Sequence, residues 1–189
     1  MKTLIISLKV FLILTIITGV IYPLSMTLIG NIIFSNQSKG SLITKDGKVK
    51  GSELIGQKFD STIYFHSRPS AIDYQPLPSS GSNLGPTSAA LQQKVDSLTK
   101  WYIEYNGLPA NTNVPPDAVF ASGSGIDPQI SYENAIFQID RICKARGFNA
   151  AKKNKLIELV NNLTEKPQLG FLGDTRVNVL KLNLELDKL

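Results

Sequence analysis

The sequence predicts an α+β fold in which a single N-terminal transmembrane helix precedes one compact α+β extracytoplasmic domain. Three observations predict it. From Val10 to Ser38, 29 consecutive residues carry no charge. Three later stretches place apolar residues at the steps of three and four that a helix requires, with strand-like segments before and after them. The whole chain is 42% apolar and 19% charged over 189 residues, a globular balance that excludes disorder along its length. At about 100–200 residues per domain, the length allows one domain and one appended segment.

As a helix, the uncharged run would be about 43 Å long at 1.5 Å per residue, whereas about 20 residues suffice to cross a bilayer. Residues 10–34 are therefore read as the transmembrane helix, 1–9 as a cytoplasmic N-terminal tail and 35–189 as the soluble domain. A cleaved signal peptide would show an apolar region of about 7–15 residues and then a small-x-small site. Here the apolar run continues through Leu24, Leu28, Ile29, Ile32, Ile33 and Phe34 with no such site. Lys2 and Lys9 on one side balance Lys39, Lys45, Lys48 and Lys50 on the other. A short tail is easily retained and long domains cross regardless of charge, so the expected orientation is N-terminus inside and domain outside. Thr15, Thr18, Gly19, Tyr22, Ser25 and Met26 form a small, hydroxylated face where a second helix could approach, or else ordinary scatter in an anchor. Pro23 should kink the span.

The domain's elements follow in order. Ser41–Val49 reads as a hairpin, because Asp46-Gly47 supplies the positive φ angles of a tight turn. Phe59–His66 and Val119–Ala121 read as strands. Thr87–Tyr105 reads as a helix with Leu91, Val95, Leu98 and Tyr102 in one stripe. Ser131–Gly147 is a second helix, capped by Ser131, ended by Gly147, with Ala135, Ile139, Ile142 and Cys143 facing inward. Asn149–Leu163 is a third, with Leu156, Leu159, Val160 and Leu163 inside. At the end, Leu180, Leu182, Leu184 and Leu186 alternate with polar residues, the pattern of a half-buried strand, with a break at Val179–Leu180 where a bulge is expected.

Charge and chemistry narrow the function. From Lys39 onward eighteen basic and fifteen acidic side chains leave only +3, so nucleic acid is not indicated. One Cys and one His exclude a disulfide framework and a Cys/His zinc site. G-x-S-x-G is absent, and His66 is the sole imidazole from which a triad could be built; it reads as an ordinary polar residue. Arg141, Lys144, Arg146, Lys152, Lys153 and Lys155 form a basic run without an acid between Arg141 and Lys155. Such a run meets lipid head groups, an acidic partner or phosphate, or is a solvated helix face. Arg68, before Pro69, is a candidate for a structural or partner ion pair.

Two loops share the pattern S-G-S-x-[LI]-x-P: Ser80-Gly81-Ser82-Asn83-Leu84-Gly85-Pro86 and Ser122-Gly123-Ser124-Gly125-Ile126-Asp127-Pro128. Each stands before a predicted helix, where free backbone N–H groups could face an anion or carboxylate. The competing reading is that Gly, Ser and Pro simply punctuate the chain there.

Taken with Tyr64-Phe65-His66-Ser67-Arg68-Pro69-Ser70-Ala71 and Arg176-Val177-Asn178-Val179-Leu180-Lys181-Leu182-Asn183-Leu184, these blocks make the sequence resemble, over essentially its whole length, the C-subunit family of the Kdp potassium-transporting ATPases. Gln129 stands where that family often has His, and Ser88 where Asn is common. The resemblance implies an accessory, non-catalytic subunit of a high-affinity, ATP-driven potassium uptake complex in the bacterial inner membrane. Its partners would be a P-type ATPase subunit, a channel-like potassium-translocating subunit and membrane lipid, with no nucleic acid. It further implies a catalytic chaperone that promotes ATP binding by the pump subunit, with no tightly bound cofactor and ATP reached through the complex. Partner or nucleotide contacts would then fall to Ser80, Gly81, Ser82, Asn83, Ser122, Gly123, Ser124, Gly125, Asp127 and Arg68. The sequence has neither a P-loop nor a D-K-T-G phosphorylation motif. The alternative is a membrane-tethered extracytoplasmic binding or enzymatic domain acting alone, with a ligand pocket of its own.

Overall fold

A computed structural model describes residues 1–45 and 47–189. Met1–Leu42 and Ile43–Leu189 form two compact units. In the first, α1 (Lys2–Ile16), a π-helical turn (Ile17–Ile21) and α2 (Tyr22–Ile33) make one helix of 32 residues, with no part of its most apolar window buried within the protein. Among the described residues it is the one helix long and apolar enough to cross a membrane. Helical structure thus begins at Lys2 and takes in residues expected to be a tail. The π turn is the local response to Pro23, whose ring would clash with the carbonyl of Gly19 in an unbroken α-helix. There Tyr22 N–H donates to Ile17 O, five residues back. Thr15, Thr18, Ser25 and Thr27 return their hydroxyl protons to the carbonyls four residues earlier, at 2.7–2.8 Å. In hydrocarbon that satisfies each hydroxyl without help from a neighbour.

The second unit has a two-stranded sheet, β1 (Leu42–Lys45) with β2 (Lys48–Ser52), where the hairpin is expected. Asp46 of its Asp-Gly turn lies outside the described residues. A separate antiparallel sheet has the order β3-β5-β4, built from Gln129–Ser131, Arg176–Asn178 and Thr164–Glu165. Three helices match the expected ones closely: α3 (Ala89–Asn106), α5 (Tyr132–Arg146) and α6 (Ala150–Leu163). Ser88, Ser131 and Asn149 cap them, each accepting a backbone N–H at the third position, and left-handed Gly107 and Gly147 end α3 and α5. Ser88 does capping work that Asn would perform equally well.

The core is Phe65, Ile130, Ala135, Ile139, Ile142, Cys143, Leu156, Val160, Val177, Val179, Leu182 and Leu186. Cys143 is buried as expected, and desolvation raises its thiol pKa.

Three expectations need correction. The final segment is the helix α7 (Val179–Leu186), not a strand. Val179, Leu182 and Leu186, at steps of three and four, are all within 1% of complete burial, and Asn178 caps the helix by accepting from Lys181 N at 3.1 Å. In eight residues a spacing of four satisfies both periods, so alternation alone misassigns the segment; the break at Val179–Leu180 marks the nearby strand-to-helix junction. Val119–Ala121 is likewise no strand: one turn of helix, α4 (Pro116–Val119), occupies the start of it, begun by a proline at its first position. Phe59–His66 has no strand assignment either. Its backbone is paired, but with side chains. Asn183 accepts from Phe65 N at 2.8 Å and donates to Phe65 O at 2.9 Å. Gln138 does the same for His66, at 2.7 and 3.2 Å. Two helix amides replace a neighbouring strand.

Candidate functional site

The two Ser-Gly-Ser loops, whose matching positions are 42 residues apart in sequence, pack on one another. A Cβ on Gly81 would lie 2.9 Å from Gly123 O, and one on Gly125 would lie 2.5 Å from Ile72 Cγ1 and 2.8 Å from Ser80 O. Gly125 also has φ +72°, so the approach and the conformation both require glycine. Ser79 Oγ donates to Ser124 O at 2.9 Å, and Ser70 Oγ donates to Gly125 O at 2.6 Å while accepting from Tyr74 N at 3.0 Å. Gly56 N donates to Ile126 O at 2.7 Å.

Arg68 and Asp127 meet across this junction, with Nη1 3.1 Å from Oδ2 and each side chain 27% exposed. The ion pair expected of Arg68 is therefore an internal one. Asp127 Oδ1 also accepts from Gln129 N at 3.0 Å, and Asp117 Oδ2 accepts from Ser131 N at 2.8 Å. Two carboxylates thus occupy N–H groups of β3 that its pairing with β5 leaves over, which blunts that sheet edge. Gln129 contributes its backbone here.

The loops differ from the expected anion cradles in two respects. Strand β3 separates the second loop from α5, so that loop is not at a helix start. Its N–H groups at Ser122, Gly125 and Ile126 donate to Pro69 O, Ser122 O and Ser124 Oγ. Ser122 and Gly125 are buried, Ser80, Gly81 and Ser82 are half-buried, and Asn83, Gly123 and Ser124 are exposed. Of the expected contact residues, Asn83, Gly123 and Ser124 are thus the outward ones, beside the exposed Leu84, Gly85 and Pro86.

A cavity of about 220 Å³ lies behind Arg68, lined by His66, Ser70, Tyr74, Trp101 and Gln138 among others. Burial, helped by the nearby Arg141 charge, pushes the His66 imidazole down to about 4. The neutral ring stacks near Trp101 and Tyr105, with centroids 6.4 and 5.2 Å away, and its Nε2 lies 3.1 Å from Ser61 O. Because the unfolded chain binds a proton at His66 near pH 6.5 and the folded one only near 4, this group's contribution to stability is present above pH 6.5. It is lost as pH falls towards 4. Acid denaturation of the full chain in detergent should therefore show a slope between pH 6.5 and 4 that flattens in His66→Gln, compared by urea midpoints at each pH.

Four of the six residues of the basic run make structural contacts, and Lys144 and Lys155 are exposed. Arg141 is 7% exposed. Arg146 donates to Ile63 O and Asp187, both at 2.8 Å; Lys153 pairs with Asp140 at 2.5 Å; Lys152 Nζ donates to Leu189 O at 2.6 Å. Sequence reasoning missed the buried polar set Asn134, Gln138, Arg141 and Asn183. Its signal was present: Asn134, Gln138 and Arg141 recur at helical steps directly beside the apolar stripe of α5.

An apolar helix of membrane-spanning length followed by a small mixed domain, with no cluster of three metal-ligating side chains among the described residues, fits a single-pass membrane protein. The sequence matches, over residues 4–188, the family described as "KdpC: K+-transporting ATPase, c chain". It is 46% identical over 185 residues to the potassium-transporting ATPase KdpC subunit of Mycobacterium tuberculosis, covering 97% of this chain and 96% of that protein. It is 49% identical over 181 residues to the one of Cereibacter sphaeroides, covering 96% and 94%. The same coverage holds for the Rhodopseudomonas palustris subunit at 46% identity. The chain belongs to the KdpC family, the C subunits of the potassium-transporting ATPase.

Proposed function

We propose that this chain is the accessory, non-catalytic subunit of a high-affinity potassium uptake complex in the bacterial inner membrane. In this reading it assembles with the P-type ATPase subunit and the channel-like potassium-translocating subunit, and promotes ATP binding by the pump subunit as a catalytic chaperone. The observation that carries the reading is a family match over almost the full chain, span included. The N-terminus is cytoplasmic and the domain extracytoplasmic. From that side the domain acts by stabilising one conformation of its partners, since a subunit changes an equilibrium only by its differential affinity for the two states.

The paired loops supply the partner contact. Their outward face, Asn83, Gly123 and Ser124, is held by the bracing of Gly81 against Gly123 and by the Arg68–Asp127 pair. Gly123 separates contact from folding, because a Cβ there meets nothing within 4 Å, whereas one at Gly125 collides with Ile72 and Ser80. Gly123→Trp should leave thermal unfolding of the isolated chain unchanged, yet reduce co-purification with the pump subunit from detergent and slow growth on scarce potassium. Gly125→Val should lower stability first. Full assembly and uptake in Gly123→Trp would refute the contact role. ATP contact by this chain itself at Ser122–Asp127 is the second reading, and it has to work with a loop whose N–H groups at Ser122, Gly125 and Ile126 are already spent within the domain; a nucleotide photocrosslink there in the assembled complex decides it. Protease access to the domain in spheroplasts tests the orientation.

A further inference from the structure

Between β4 and β5 the chain projects as an arm, Lys166–Thr175, in which all but Pro167 are exposed. It is ordered by its own backbone: Gln168 N donates to Leu172 O and Leu172 N to Gln168 O, both at 2.9 Å, while Gly170 N donates to Pro167 O and Phe171 N to Gln168 O. Left-handed Leu169 and Gly170 form the bend. The tip holds Leu169, Phe171 and Leu172 outward, 84%, 74% and 50% exposed. No charge falls between Pro167 and Gly173; Glu165, Lys166, Asp174 and Arg176 sit at the base, where Arg176 Nε pairs with Glu165 Oε2 at 2.9 Å.

We propose that this tip inserts into the apolar edge of a phospholipid bilayer. Three features select lipid over a protein groove. The uncharged tip and charged base reproduce the polarity gradient of a membrane interface. Hydrocarbon offers no partner to backbone groups, so internal bonding lowers the cost of entering it; here the N–H groups of Gln168, Gly170, Phe171 and Leu172 are bonded within the arm, and Pro167 has no N–H to satisfy. The chain's own span tethers the domain to a bilayer, so even weak insertion proceeds at high effective concentration. This inference rests on the span and the arm alone and stands apart from the assembly reading above.

Trp101 is the chain's one tryptophan, which provides both a probe background and a control. The full chain carrying Trp101→Phe and Phe171→Trp is placed in nanodiscs of ordinary phosphatidylcholine and of its acyl-chain-brominated form. Insertion predicts a blue-shifted emission that is strongly quenched by the brominated lipid, relief of both effects on adding Leu169→Asp, and little quenching of Trp101 in the natural chain. A red, unquenched tip signal places the arm in water and overturns the proposal. A blue-shifted but unquenched signal places it against protein and overturns it too, as does equal quenching of both tryptophans.

Discussion

Arg141→Leu lowers the unfolding free energy of the domain by about 3–5 kcal/mol, the scale on which breaking a buried polar network destabilises a protein. Among the described residues the guanidinium pairs with no carboxylate. Instead it donates from Nε to Asn106 Oδ1 at 2.9 Å, from Nη2 to Tyr64 O at 3.0 Å and Gln138 Oε1 at 2.9 Å, and from Nη1 to Thr62 O. It also lies 5.0 Å from the Tyr105 ring centroid. Burial lowers its pKa below the ordinary arginine value without threatening its charge. Leucine fills part of the space but strands several buried acceptors, each costing about 1–3 kcal/mol before relaxation. Arg141→Lys restores the charge without the planar fork and recovers only part of the loss. Urea unfolding of the full chain in detergent, followed by far-UV circular dichroism, measures both. An unchanged midpoint in Arg141→Leu would show that the Thr62–Tyr64 segment holds its place without this anchor.

Asn183→Leu costs about 3 kcal/mol, because two buried backbone groups lose their partners at once. Asn183 is 2% exposed and makes both a donor and an acceptor contact to Phe65, whose own side chain is wholly buried in the core. Leucine keeps asparagine's branched shape and its number of side-chain heavy atoms, so no cavity opens and the loss is chiefly one of hydrogen bonding. The selective readout is amide hydrogen exchange at Phe65, which accelerates in the variant while amides of α6 follow only the global change. Asn183 and Arg141 hold the same stretch of chain, so their effects should not add: once either anchor is gone, the second removal costs less. A strictly additive double variant would refute the shared role.

These anchors explain which parts of the fold were legible. Helices α3, α5 and α6 announce themselves, since each has a cap residue, more than twelve residues and an inward stripe, so several independent local signals agree. The apolar span needs no tertiary information at all. Phe59–His66 and Leu180–Leu186 failed because a period of two records which side of a segment is buried, not what its backbone bonds to. In the first case the partners are the amides of Gln138 and Asn183, 72 and 118 residues away. In the second, an asparagine cap and leucines spaced by four turned the same pattern into a helix. The Ser-Gly-Ser loops were recognisable as a pair, but their mutual packing was not, because nothing local links Gly81 to the Gly123 carbonyl.

Membership of the family, the membrane-crossing helix and the mixed domain behind it follow from the order of residues, because they rest on runs, spacings and motifs contained in short windows. Folding in three dimensions decided which glycine meets a close neighbour and which faces open space, drew the two arginines of a basic run into internal braces, and joined Arg68 to Asp127 within the domain. Those outcomes depend on contacts between distant segments, whose energies no window of sequence contains.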